Sequence, residues 1–256
     1  MGMTSDDRSV VADDPDHGTT AHSIERAARN NALWCDAVCA AHGASGEFHE
    51  AFWLHRRGTP RHYPDLVTLS DEPVVQHDAV AALIETPRLG GWSVKDSFAS
   101  LDLGPLGFSM LFDAEWIGLA VPDEAGTVAA DGLEWRSVAG PAELVAWEAA
   151  WVDAPLESSI FAGRMAPDAD IRFLLASRDG VPAGGGILNR GAGLVGVSNV
   201  FVTAGETDRV WCGLANQAAV AFPGLPLVGY EHGGDLATAL RAGFTSLGAL
   251  RVWYRP

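Results

Sequence analysis

GDLATALRAGFTSLGALRVWYR, residues Gly234–Arg255, is the stretch on which the fold turns. DLATALRAGF reads as a helix stopped at Gly243, because glycine takes the left-handed backbone of a helix C-cap without strain, and ALRVWYR reads as a closing strand. Immediately upstream, LPLVGYE is a short apolar run of buried-strand character. Before it, ETDRVWCGLANQAAVAF sets Trp211, Leu214, Ala215, Ala218 and Phe222 on one helical face. Further back, IRFLLASRDGVPAGGGILNRGAGLVGVSNVFV predicts a three-stranded meander, with turns at Asp179-Gly180 and within Asn189–Gly193. LEWRSVA is a strand and GPAELVAWEAAW a helix with proline in its first turn. The loop Pro122–Gly132, polar and without periodicity, is the best internal boundary.

The N-terminal half is less regular. Residues 1–22 have the composition of a disordered acidic tail. From Ser23, SIERAARNNALWCDAVCAAHG has helical spacing and ends at Gly43, and EFHEAFWLHRRG is expected to continue as a short helix to Gly58. LVTLS, WSVKDSFASLDL and GFSMLFDAEWIGLA are predicted strands, with HDAVAALIET a helix between the first two. The chain divides into a tail (1–22), an N-terminal α/β half (23–132) and a C-terminal unit (133–256).

With 256 residues and 48% hydrophobic content, the sequence can bury a sizeable core. A net charge of −16 argues against nucleic acid and against anionic membrane surfaces. No apolar run reaches the roughly 20 residues of a membrane span. With no secretion signal and three cysteines that make no disulfide framework, a cytoplasmic protein is expected. Lys95 is the only lysine.

The order strand, helix, antiparallel meander, helix, strand, helix, strand, ending in DLATALRAGF and RVWYR, resembles the GNAT superfamily of N-acetyltransferases from about Leu133 to Pro256. The resemblance implies an α/β (α+β) fold with a mixed, mostly antiparallel sheet flanked by helices. The N-terminal half could then be a truncated second unit of the same kind. It also implies acetyl-CoA, or another acyl-CoA, as cofactor and a small-molecule amine as substrate. Ser198–Val202, with Asn199, Val200, Phe201 and Val202, would pair with the pantetheine arm, and Gly205 and Arg209 would receive the pyrophosphate at the start of the next helix. TAGETDRVWCG departs from the family signature, since Glu206 and Asp208 put carboxylates in the first turn, where they cap the helix themselves and repel phosphate. A second departure is Ala239, four residues before Gly243, where family enzymes often carry a tyrosine proton donor.

Tyr230 and Glu231 end a strand where open α/β sheets bind ligands, so Glu231 is the candidate general base and Tyr230 a substrate contact. His232 follows, so a Glu-His pair at the strand end is possible, but adjacent strand residues face opposite ways, so a bend is needed for Glu231 and His232 to enter one cleft. Trp34, among nine tryptophans, and Arg57, in the basic stretch LHRRGTPRHYPD, complete the candidate substrate site. Cys35, Cys39 and His42 share a helical face, but their spacing is a weak metal signal and no metal is expected. GGG at Gly184–Gly186 marks a bulge or a close backbone approach. A homodimer is left open. The competing function is a GNAT-fold protein without catalytic activity that binds a small ligand or partner.

Overall fold

The structure, a computed structural model, describes residues 15–86, 90–121, 132–152, 159–165, 168–203, 205 and 207–256, with side chains from Ser23 onward. The strands are β1 (Glu47–Phe48), β2 (Phe52–Leu54), β3 (Leu66–Thr68), β4 (Trp92–Asp96), β5 (Ser109–Leu119), β6 (Glu134–Ser137), β7 (Ile171–Arg178), β8 (Val181–Gly191), β9 (Leu194–Val202), β10 (Leu227–Glu231) and β11 (Thr245–Arg255). The helices are α1 (Pro15–Ala41), α2 (Pro73–Ile84), α3 (Pro141–Val152), α4 (Thr207–Ala221) and α5 (Gly233–Arg241). All described strands join one sheet in the order β1-β2-β3-β4-β11-β5-β10-β9-β8-β7-β6. It is mixed and mostly antiparallel, with parallel pairs only at β3/β4 and β9/β10.

Helices cover both faces. On one face α1 and α3 bury an aromatic cluster in which Trp147 meets Phe161, Phe173 and Phe201 edge to face, with ring centroids 5.3–5.9 Å apart. On the other, α4 and α5 cover Ile117, Leu188 and Val195, while α2 covers Leu66, Val94 and Trp253. The five residues expected on one face of α4 are all in that core, with Phe222 just past the end of the helix. Helix α1 lies close to the sheet because Ala27, Ala28 and Ala32 present no bulk. Asn30 and Asn189 hold it there: the Asn30 amide donates to the carbonyls of Asn189 and Gly191, and the Asn189 amide donates back to Asn30 Oδ1 at 3.1 Å. Gly196 makes room, since a Cβ there would sit 2.2 Å from Asn30 Oδ1.

Several local expectations give way. EFHEAFWLHRRG is not a helix but the strands β1 and β2. Trp53 faces the α1 core while Phe52 and Leu54 face the α2 core, so this run is apolar because both faces are buried, and a short run of that kind carries no period. The strand expected through Leu103 stops at Asp96, whose carboxylate accepts from the backbone N–H groups of Phe98 and Leu101 and turns the chain. Helix α1 begins at Pro15 rather than Ser23, and the rest of the expected tail, residues 1–14, lies outside the described residues. So does the expected boundary loop, apart from Gly132. Strands from either side of that loop interleave, because β11 lies between β4 and β5, and β5 between β11 and β10.

Both meander turns are tight. Asp179-Gly180 and Ala192-Gly193 take positive φ at both central residues (51° and 76°, 53° and 71°), the backbone whose twist matches paired strands. The second turn is narrower than expected, as β8 runs on to Gly191.

Candidate functional site

The cleft originates in a local failure of strand pairing. Parallel strands β9 and β10 pair only at Val195/Leu227 and Gly196/Val228, and then the ladder stops. Across the other edge of β9, Ser198 is opposite Ile187 and Phe201 opposite Gly185, so Asn199 and Val200 together face Gly186. That extra residue is a bulge, with Asn199 at φ +51°, and a bulge bends its strand. The glycines across from it fit the expectation of close backbone approach: a Cβ on Gly185 would lie 2.4 Å from the Leu174 carbonyl oxygen.

Between the diverging strands lies a cleft of about 560 Å³. Val197–Val200 form one side and Tyr230–His232 the other. Asn31, Trp34 and Cys35 of α1 line it, as do Lys95 of β4, Phe112 of β5 and Val252 of β11. The 59–65 loop closes over it and is held by the buried Asp65 carboxylate, which accepts from Thr59 N (3.2 Å), Thr59 Oγ1 (3.3 Å) and Ser93 N (2.8 Å). Thr59 Oγ1 also donates to the Tyr63 carbonyl at 2.6 Å.

Tyr230 packs edge to face on Trp116 (5.6 Å), on the α1 side of the sheet. Glu231 takes the opposite parity, toward the start of α5. Tyr230, Glu231 and His232 all line the cleft, with His232 still extended rather than bent, because the cleft is a gap between strands rather than a hollow on one face. Burial, and secondarily the nearby Asp235 carboxylate, push the Glu231 carboxyl up to about 8.

Two hydroxyls at the cleft are buried: Ser198 Oγ makes no hydrogen bond, and Tyr63 Oη, beside the Trp34 and Asn199 side chains, makes none of full geometry. Burial holds the Tyr63 phenol well above its ordinary range, so it stays a donor. Lys95 is only 3% exposed; its Nζ donates to Asn31 Oδ1 at 2.8 Å and lies 3.9 Å from the centroid of the Tyr230 ring. Burial likewise pushes the Cys35 thiol up to about 11 and the Cys39 thiol to about 12, leaving both inert. Among the described residues no three His, Cys, Asp or Glu side chains gather as a metal site.

Of the residues singled out from sequence, Trp34, Asn199, Val200, Tyr230 and Glu231 meet at the cleft. Phe201 does not line it; it is buried against Trp147, and Val202 pairs with Gly184. Gly205, at φ +88°, and Arg209 lie beyond the end of β9 and outside the lining. Arg57 is exposed and does not line the cleft, and the basic side chains of that stretch that do are Arg61 and His62. Asp208 is tied to Arg241 at 2.8 Å, which offsets one of the two acidic charges at the start of α4; Glu206 lies outside the described residues. Ala239 is fully buried. Sequence reading missed Lys95, Tyr63 and Asn31. The one available signal was a solitary lysine within an alternating strand.

No family model and no curated protein matches the sequence. Solved structures do match. A GCN5-related N-acetyltransferase from Kribbella flavida superposes with a TM-score of 0.53 at 15% identity, over 89% of this chain and 95% of that one. A Novosphingobium aromaticivorans protein assigned to the GNAT family of acetyltransferases gives 0.55 at 13% identity, over 90% and 97%. At these identities the likeness is one of fold. Among the described residues no helix is long and apolar enough to cross a membrane.

Proposed function

We propose that this chain, which has the GNAT fold, is an acyl-CoA-dependent N-acyltransferase acting on a small-molecule amine. The observation that carries the reading is the cleft itself, where the divergence of β9 from β10 leaves strand edge, buried hydroxyls and a high-pKa carboxylate around one volume.

The residues present fit an acyl-CoA. Past Gly196 the β10-side edge of β9 has no ladder partner, which suits an extended amide-bearing chain. Ser198 Oγ, buried and unpaired at that edge, is a hydrogen-bonding group awaiting a polar partner. Gly205 and Arg209 remain the candidates for the phosphates. Bound there, an acyl-CoA supplies an activated acyl group.

Glu231 acts on the amine. An alkylammonium must lose a proton before its nitrogen can attack, and a carboxylate whose pKa is near 8 accepts that proton more readily than an ordinary one. A cationic amine beside Glu231 also favours the ionised carboxylate, so binding prepares the base. Tyr63, whose buried hydroxyl lies at the cleft beside Trp34 and Asn199, is the candidate donor in place of the phenol absent at Ala239. Trp34 and Tyr63, 6.1 Å apart, help exclude water.

Calorimetric titration with acetyl-CoA and longer acyl-CoAs tests the proposal. Heat of binding together with amine-dependent release of free thiol is expected; the absence of both heat and a thermal shift at millimolar ligand refutes it. The buried Ala239 favours a second reading, a binding protein without transfer activity. In that case acyl-CoA or another ligand binds, but no amine in a broad panel releases thiol.

A further inference from the structure

The only lysine of a chain with 33 acidic residues is buried in the cleft, and among the described residues no carboxylate pairs with it. An ammonium group has three N–H donors; Asn31 Oδ1 accepts one, and the Tyr230 ring offers its π face but no lone pair. A buried ion without a counter-ion is costly, and isolated charges of this kind are normally paired. With acidic side chains so abundant, the absence of one here leaves the counter-ion to a ligand.

Position within the sheet indicates which ligand. Lys95 is on β4, separated from β9 by β11, β5 and β10. Its ammonium reaches past β11 and β5 to lie over the ring of Tyr230 on β10, the residue preceding Glu231. Trp34, Tyr63, Phe112 and Trp151 supply apolar walls to the same cleft. The cleft thus has one group suited to an amine, one cation lacking an anion, and aromatic surface.

We infer that the amine substrate also carries a carboxylate, that Lys95 binds this carboxylate while Glu231 faces the amine, and that the substrate class is amino-carboxylates with an apolar or aromatic side chain. This rests on the acyltransferase reading of the same cleft. Asn31 is the positioning residue, fixing the Lys95 ammonium through its carbonyl oxygen.

The test is calorimetric binding of L-phenylalanine, 3-phenylpropanoate and phenethylamine to the full chain and to Lys95→Met. The wild type is expected to bind the two carboxylates at least about tenfold more tightly than phenethylamine, since the alternative leaves a buried charge unpaired. Lys95→Met is expected to lose that preference while keeping wild-type affinity for acetyl-CoA. Without ligand it should melt no lower than wild type, because an unpaired buried charge has become an apolar side chain of similar length. If Lys95→Met does not fold, Lys95→Gln and competition between 3-phenylpropanoate and L-phenylalanine on the wild type decide the matter. The inference is overturned if the wild type binds no carboxylate probe at millimolar concentration, if it favours phenethylamine, or if the variant keeps the preference. It is also overturned if Lys95 governs a preference for succinyl-CoA over acetyl-CoA but not the amino-carboxylate probes, since the carboxylate then belongs to the acyl group. A wild type that binds the carboxylates through Lys95 but no acyl-CoA refutes only the transfer reaction.

Discussion

Glu231 shows how a strand-end acid becomes a candidate base. Its type and location were evident in LVGYE, but its proton affinity depends on burial beside the β9/β10 gap, which no local sequence encodes. If it is the base, kcat/KM rises with pH and levels off above about 8. Glu231→Gln should lower kcat/KM by about 10²- to 10⁴-fold and remove that limb, as read from pH–rate profiles. Stability has the opposite sense. The folded-state pKa is above the ordinary 4.5, so the folded protein holds a proton that the unfolded chain releases between about 4.5 and 8. The contribution is full below that window and is lost as pH rises through it. The melting temperature of the wild type should therefore fall relative to Glu231→Gln from pH 5 to about 8, and the two should run parallel outside that range. A similar argument separates structure from function at Tyr63. Tyr63→Phe removes a buried hydroxyl that makes no hydrogen bond of full geometry, so it should change stability little while lowering acyl transfer, as measured by thermal melts beside initial rates.

At the scale of elements, the β8/β9 hairpin makes the site and α1 roofs it. Gly184–Gly186 was legible as a place of close approach, because glycines inside a strand weaken it unless backbone contact needs them. Gly185→Ala would drive a Cβ to 2.4 Å from the Leu174 carbonyl oxygen and 2.8 Å from the Phe201 ring, and Gly196→Ala would collide with the Asn30–Asn189 pair. Each is expected to cost about 1–3 kcal/mol, read from the denaturant midpoint. Gly205→Ala meets open space, but its positive φ strains alanine, so its cost of about 1–2 kcal/mol should come from the backbone alone. The helix expected over EFHEAFWLHRRG failed for a reason confined to β2. Three consecutive apolar residues look alike whether a helix turns them or a strand buries both faces, and only the neighbouring β1 and β3 select the strand.

For the whole molecule, one sheet threads both halves of the chain. β11 pairs with β4 over Arg251–Arg255 and with β5 over Thr245–Tyr254, while β5 also pairs with β10. Residues 133–256 expressed alone would leave β10 and β11 without the strand between them. That piece is expected to aggregate or lack near-ultraviolet dichroism, and coexpression with residues 1–132 should restore a cooperative fold. Independent folding of the piece would mean that β5 is dispensable to the sheet.

Sequence alone determined the elements from Leu133 onward, the two hairpin turns and the apolar face of α4. Each of these is set by local backbone preference or by a period that survives within a few residues. It also supplied Glu231, Tyr230, Trp34 and Asn199 as candidates. The tertiary structure alone decided that β5 lies between β10 and β11, that β9 and β10 part at a bulge, and that Lys95 comes to rest over Tyr230. These depend on pairings between residues far apart in the chain, and burial, from which the site takes its chemistry, exists only once those pairings are made.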